Sequence, residues 1–461
     1  MRISRLVPIA LVSATAFVAT SAAAVAPSRT STLPDQSLRS SQPTIADDHD
    51  IRLGSIGSGM FRARTDEPNV YFMVTDRGPN GNPSATGHRT FPVPDFDPMI
   101  VKVRTLGEQI QILQQIPLKT TAGAPVSGLP NAASVSSPLS ATAPQPDEVP
   151  YNFDDSAPLG PDGYNVNGLD TEDIVRVSDG SFYLVEEYRP SVLHVAADGT
   201  ILDRFVPVGT DDELAGAGYP VHATLPARYA YRRPNRGFEG LALAPDGSAL
   251  FVALQSPLQL PGTGNTNTGR DSRNTRIVKL DLNGNVLGEY VYRFDVSTTF
   301  DPNPCGSLAT AARARDMKVS GLYAISATQL LVLERTDCVA KVYLVDVSTG
   351  ATDLTTWTPP AALPNRTDLN VVEQQNSDAQ LSAAQLTPLA KTLIVDLDTV
   401  DGMPGKIESI IVVSPSELAV ANDNDFGLTD FPAWDANGNL TNDTLVKSRI
   451  LYVDLPAPLP R

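Results

Sequence analysis

Short runs of β-branched, aromatic and aliphatic residues recur along the chain, broken by Asp-Gly, Asn-Gly and Pro-containing turns, a pattern of hairpins rather than helices. From Glu172 the chain reads Glu-Asp-Ile-Val-Arg-Val-Ser-Asp-Gly-Ser-Phe-Tyr-Leu-Val-Glu-Glu, and Ser191 opens a second hairpin, Ser-Val-Leu-His-Val-Ala-Ala-Asp-Gly. From Glu239 it reads Glu-Gly-Leu-Ala-Leu-Ala-Pro-Asp-Gly-Ser-Ala-Leu-Phe-Val-Ala-Leu-Gln, and Arg276 opens Arg-Ile-Val-Lys-Leu-Asp-Leu-Asn-Gly. The two units align through the Asp-Gly turn. A third unit spans Val319 to Arg335 and Lys341 to Asp346, a fourth Ile407 to Asp425 and Arg449 to Asp454, and an outlying first has Val70 to Asp76 and Met99 to Val103.

Inner runs such as Leu250 to Leu254 are apolar on both faces, so they belong between layers, whereas outer runs such as Val278-Lys279-Leu280-Asp281 alternate. Four-stranded units repeating at roughly seventy to ninety residues predict an all-β fold, a single β-propeller of five or six blades. A sixth unit has room between Leu106 and Gly168, or through pairing of the two chain ends. A β-sandwich is the competing architecture, but it does not explain an acidic residue recurring at the start of successive inner hairpins. Helix is expected to be scarce, with one short candidate from Asp378 to Leu386 ending before Pro388.

Basic Arg2 and Arg5, an apolar stretch from Leu6 to Val18 and small Ala22 and Ala24 read as an export signal over residues 1–24, cleaved after Ala24. Residues 25–50, rich in Ser, Thr, Pro and Asp, predict a flexible leader, and residues 119–150 a low-complexity surface insertion in one domain spanning 51–455. The mature chain is expected in the periplasm or outside the cell, with no stable membrane insertion. In that compartment Cys305 and Cys338, the two cysteines of the sequence, are expected to form a disulfide, contributing roughly 3–4 kcal/mol in the chain-entropy model.

With 35 basic against 52 acidic residues and a net charge of −17, the chain is a poor partner for nucleic acid or anionic lipid. A phosphorylated substrate would need local masking by a cation or by clustered Arg and Lys. Charged residues do cluster at equivalent inner-strand ends. Asp76-Arg77-Gly78 closes the first, Glu172 opens the second and Glu186-Glu187 closes it, and Asn235-Arg236-Gly237-Phe238-Glu239-Gly240 opens the third. Glu334-Arg335, Lys406 with Glu408, and Asn422-Asp423-Asn424-Asp425 continue the series. So many carboxylates cannot converge uncompensated, because like charges raise each other's pKa. The plainer reading makes these charges solvated turns or ion pairs fastening neighbouring blades.

These strings resemble the phytase-like family (esterase-like activity of phytase), most specifically through Asn235-Arg-Gly-Phe-Glu239-Gly-Leu and Asn422-Asp-Asn-Asp425-Phe426, together with Asp170-Thr-Glu172, Glu186-Glu187-Tyr188, Glu334-Arg335 and Lys406-Ile-Glu408. The resemblance covers about Ile51 to Asp454. It implies hydrolysis of a phosphate ester or related ester. One departure is Asp173, which follows Glu172 where Gly240 follows Glu239.

On this reading Glu172, Glu239 and Glu408 are the candidate catalytic residues. Arg77, Arg236, Arg335 and Lys406 would bind substrate oxygens. Asp76, Glu172, Glu239 and Asp425 would ligate a divalent cation, Ca²⁺ by preference, with water as the attacking group. The expected partner is a small phosphate ester or other anion. Gly-x-Ser-x-Gly and phosphate-cradling Gly-x-x-x-x-Gly-Lys strings are absent, and the four histidines, at 49, 88, 194 and 222, are too scattered for a triad or zinc site. The alternatives are a non-catalytic propeller binding an anionic or sugar ligand, and a scaffold for protein partners.

Overall fold

The computed structural model describes residues 26–82, 88–131, 148–259, 271–300, 314–361, 363 and 371–460. The innermost strands Gly59–Phe61, Thr171–Arg176, Phe238–Leu243, Lys318–Ala324 and Ile407–Ser414 touch one another in that order, and the last touches the first. Each begins an antiparallel sheet running outward from a common axis, the architecture of a propeller. From Thr171–Arg176 the sheet proceeds through Phe182–Glu186, Ser191–Val195 and Ile201–Pro207, with Val221–Leu225 added in parallel. From Phe238–Leu243 it runs through Leu250–Leu254 and Asn274–Leu280 to Val286–Arg293, and from Lys318–Ala324 through Gln329–Arg335 and Ala340–Asp346 to Lys391–Asp396.

The two remaining inner strands begin two runs that join at their outer edges into one sheet. Gly59–Phe61 continues through Val70–Val74 and Met99–Leu106 to Gln109–Pro117, and Ile407–Ser414 through Glu417–Asn422 and Arg449–Asp454 to Arg29–Thr32. The outer edges of these two runs meet where Thr32 lies opposite Gln109. Arg29–Thr32 and Arg449–Asp454, from opposite ends of the sequence, pair antiparallel, and residues 26–50, expected within a flexible leader, contain this strand and buried side chains. Arg449–Asp454 leaves a row of peptide groups that Arg29–Thr32 satisfies. The Arg29 guanidinium stacks 3.6 Å from the Tyr452 ring centroid, and Leu38 and Ile45 follow into the core.

Residues 132–147 of the expected surface insertion lie outside the described residues. The preceding segment packs closely: Lys119 bridges to Thr200, Val126 and Leu129 are buried, and the Asn131 amide donates to the Gly168 carbonyl at 2.6 Å. Cys305 also lies outside the described residues. The short helix forms at Asp378–Ala383, started by a capping box between Ser377 and Gln380.

Between the sheets, apolar side chains from second strands interlock. Leu184, Val252, Val332 and Val420 have no exposed surface, and each such burial stabilises the fold by about 1.5–3 kcal/mol.

The register of four inner strands slips near their N-terminal ends. Slips fall between Thr171 and Ile174, Phe238 and Gly240, Val319 and Gly321, and Ile407 and Ser409. These β-bulges leave Glu172 with Asp173, Glu239, Ser320 and Glu408 outside the ladder, near one end of the ring, a common device for re-aiming side chains at a site. A β-carbon at Gly240 would lie 2.9 Å from Leu322 Cγ, so glycine there lets Lys318–Ala324 approach Phe238–Leu243 closely. At the corresponding level Asp173 turns inward, and its carboxylate accepts the backbone N–H groups of Leu241 (2.7 Å) and Ile174 (2.8 Å). It thereby helps close the waist of the ring.

Candidate functional site

Above that waist lies a cavity of ≈ 600 Å³. Every residue expected at the site lines it: Asp76, Arg77, Glu172, Arg236, Glu239, Arg335, Lys406, Glu408 and Asp425. The glutamates arrive on the bulged starts of inner strands. Arg236 arrives on the loop before Phe238–Leu243, where Gly237 is required because a β-carbon would fall 2.5 Å from the Glu187 carbonyl oxygen. Asn235 (φ 51°), Lys406 (φ 51°) and Asp425 (φ 48°) hold the left-handed backbone conformation, strain of the kind that folds retain at functional sites.

One side of the cavity is acidic. Carboxylate oxygens of Asp170, Glu172 and Glu187 lie within 4.8 Å of one another, and Asp76 adds a further carboxylate to the lining. Glu172 accepts no hydrogen bond and makes no ion pair among the described residues. Asp170 Oδ2 is buried without a hydrogen bond, although the Arg77 guanidinium approaches to 3.5 Å. Glu187 accepts one bond, from Gln255 at 2.8 Å, and Asp76 accepts the Gly78 N–H at 2.8 Å. Burial, and then the carboxylates of Glu239, Asp170 and Glu187, raises Glu172 well above the usual range. Burial does the same to Glu187 and Asp76, and it lifts Asp170 to about 6 despite Arg77.

The opposite side is basic and mostly matched. Arg335 donates to Glu408, to Ser320 Oγ (2.5 Å) and to Asp337 (3.1 Å), and lies 3.5 Å from Glu239. Lys318 donates to Asp337 at 2.6 Å, and Lys406 is ion-paired with Asp425. Burial, only partly offset by Asp337, depresses Lys318 to about 8. Arg236 differs. Its guanidinium donates to Ser256 Oγ at 3.3 Å, makes no ion pair among the described residues, and is depressed by burial.

This geometry divides the expected cation ligands. Glu172 belongs to the compact acidic group, whose other two members, Asp170 and Glu187, had not been assigned as ligands. Glu239 is held instead by Gln255 (2.6 Å), Ser320 (3.1 Å) and Arg335, while Asp425 neutralises Lys406. Arg77 faces Glu148 at 2.8 Å and supports the acidic side rather than standing clear for a substrate. An all-carboxylate group with an unbonded buried oxygen suits a hard divalent cation. The buried acidic triad could therefore bind a metal ion.

The family model described as phytase-like, esterase-like activity of phytase, matches residues 51–426. The chain belongs to the phytase-like family. That membership suggests a hydrolase. Among curated relatives, an uncharacterised secreted protein of Arthroderma benhamiae is 27% identical over 224 residues, which are 45% of this chain and 42% of the relative. The chain thus spans less than half the length of that relative. Among solved structures, the PQQ-bound aldose sugar dehydrogenase of Streptomyces coelicolor is 11% identical, covering 89% of this chain and 86% of its own, with a TM-score of 0.29. The Dos1 propeller is 10% identical over 86% of this chain and 70% of its own, with a TM-score of 0.27. Among the described residues of this phytase-like chain, no helix is long and apolar enough to cross a membrane.

Proposed function

We propose that the protein is an exported, cation-assisted phosphoester hydrolase, working at one mouth of a five-bladed propeller whose last blade is completed by Arg29–Thr32. The observation that carries this reading is the two-sided charge of one cavity. A phosphate ester and a divalent cation together complement an acidic wall facing a basic one.

Asp170, Glu172 and Glu187 would hold the cation, Ca²⁺ being favoured by an all-oxygen donor set. When bound, that ion would neutralise phosphoryl charge and acidify water. Arg236, which makes no ion pair among the described residues, and Lys318 would bind phosphoryl oxygens from the opposite wall. Glu239 and Glu408 act indirectly, by fixing the Arg335 guanidinium between them. Arg236, which makes no ion pair among the described residues, could receive an anion without any reaction following, and this observation supports a second reading, an anion-binding propeller without turnover.

The deciding experiment is elemental analysis of purified protein, followed by hydrolysis of p-nitrophenyl phosphate and phytate with and without a chelator. Stoichiometric Ca²⁺ and chelator-sensitive turnover are expected. Phosphate binding without turnover of any phosphoester would establish the second reading instead. Export and the Cys305 to Cys338 disulfide belong to the same proposal, and two free thiols in peptide maps of exported protein would refute the pairing.

A further inference from the structure

The inner strands carry a second cavity, ≈ 480 Å³, at their C-terminal ends, on the far side of the waist from the acidic and basic walls. Met60, Ile174, Leu241, Leu322 and Ile411 contribute its apolar lining, and Asp173 and its backbone partners stand between the two cavities. Three arginines, Arg62, Arg64 and Arg176, line it together with one exposed carboxylate, Asp246.

The three arginines are not equivalent. Arg176 is neutralised by Asp66 at 2.5 Å and stacks 4.6 Å from the Phe72 ring centroid. Arg62 and Arg64 make no ion pair with a carboxylate among the described residues. Arg64 is exposed, whereas Arg62 is half-buried and its Nε is buried without a hydrogen-bond partner among the described residues. In a chain of net charge −17, carboxylates are plentiful, yet these guanidinium groups are left unmatched beside an apolar floor. An unmet donor costs free energy unless a ligand supplies an acceptor. A guanidinium fork matches a carboxylate or a phosphate, and the apolar floor beside it suits a carboxylate carried on a hydrocarbon body.

We propose that this far mouth is a second binding site, for a small organic carboxylate with an apolar body. The carboxylate would engage Arg62 and Arg64, and the hydrocarbon would lie against Leu322, Ile174 and Ile411. The cavity volume lies within the range of small-molecule sites. The site is independent of the hydrolase reading, since it shares no lining residue with the other cavity.

Isothermal titration calorimetry of the full mature protein with octanoate tests it. One octanoate per chain is expected. Acetate, which keeps the charge but lacks the body, and octanol, which keeps the body but lacks the charge, should each bind at least about tenfold more weakly. The double variant R62Q/R64Q should lose about tenfold in octanoate affinity at an unchanged melting temperature, and R62K/R64K should recover part of it. Arg236→Gln, across the waist, should leave octanoate binding unaltered. No octanoate binding by the native protein, equal binding by R62Q/R64Q, or equal binding of octanol would overturn the proposal. If R62Q/R64Q does not fold, Arg64→Gln alone, at an exposed position, must still weaken binding severalfold for the proposal to stand.

Discussion

The acidic and basic walls of the main cavity contain similar numbers of charged groups, but they solve the problem of burying charge in opposite ways. On the basic side, Arg335, Lys318 and Lys406 each face a carboxylate, so their charges are balanced within the protein. On the acidic side, Asp170, Glu172 and Glu187 are packed together, and Arg77, the cation beside Asp170, is shared with Glu148. Buried carboxylates left in that state either take up protons or wait for a cation. One wall is therefore fastened by its own ion pairs, and the other is arranged for something from outside.

The sharpest way to break this comparison is to remove the central fastener. Arg335→Ala would leave Glu239 and Glu408 buried without their cation, and loss of one partner from a buried pair costs about 3–5 kcal/mol. Chemical denaturation should show that loss whether or not a divalent cation is present. A change under 1 kcal/mol would mean that the basic wall is not self-sufficient.

The next largest effect should come from the acidic wall and should fall on activity. Glu172→Gln keeps the side-chain size but removes a carboxylate that has no internal partner, so phosphoester turnover should fall by about a hundredfold, equivalent to about 2.7 kcal/mol. Bound Ca²⁺ should fall with it, while stability measured in chelator stays level or rises, because a repelling charge is gone. Glu239→Gln is the companion. It loosens Arg335 and should lower stability more than bound metal. If the two variants behave alike, the division between the walls is wrong.

A smaller effect is expected at Arg236, the basic-wall residue that makes no ion pair among the described residues. Arg236→Ala should weaken orthophosphate binding about tenfold, or about 1.4 kcal/mol, with bound Ca²⁺ and melting temperature little changed. Unchanged phosphate affinity would remove Arg236 from the binding surface.

Much of this was legible in the sequence, for a physical reason. Glu172, Glu239 and Glu408 each open an apolar inner run, and Asp-Gly turns at 179–180 and 246–247 mark the first two hairpins as equivalent. Other features left no such trace. Gly59–Phe61 is only three residues long, too short to show a strand period, and the polar Arg29–Thr32 owes its conformation to the edge it covers rather than to its own composition. Glu186 and Glu187 look alike in sequence. In the structure Glu186 turns away to Arg204 at 2.7 Å and caps the N–H groups of Tyr188 and Arg189, while Glu187 faces the cavity. Lys318 and Asp337 escaped because their inner strand carries Ser320 at its bulge instead of a glutamate, so the acidic template did not point to them.

Lys318 provides the finest test of the two walls, through pH. Its ammonium group faces Asp337, which favours the charged form, and Arg236, Arg335 and Lys406, which oppose it; burial opposes it most and brings the folded pKa from 10.5 to about 8. Asp337 stays ionised throughout, since Lys318 and Arg335 hold it well below the usual carboxylate range. Below about pH 8 Lys318 is therefore cationic and able to meet a phosphoryl oxygen, and above it the proton is lost. Orthophosphate affinity should drop severalfold as pH rises from 7 to 9, beyond what the titration of phosphate itself produces. Stability should move the other way: between about 8 and 10.5 the unfolded chain holds the Lys318 proton that the folded one has released, so this residue contributes increasing stability as pH rises. Lys318→Arg, which stays charged across the whole interval, should flatten both profiles. If native protein and the Lys318→Arg variant give superimposable phosphate affinities from pH 7 to 9, Lys318 is only a fastener for Asp337, and Arg236 alone on the basic wall remains to receive a ligand.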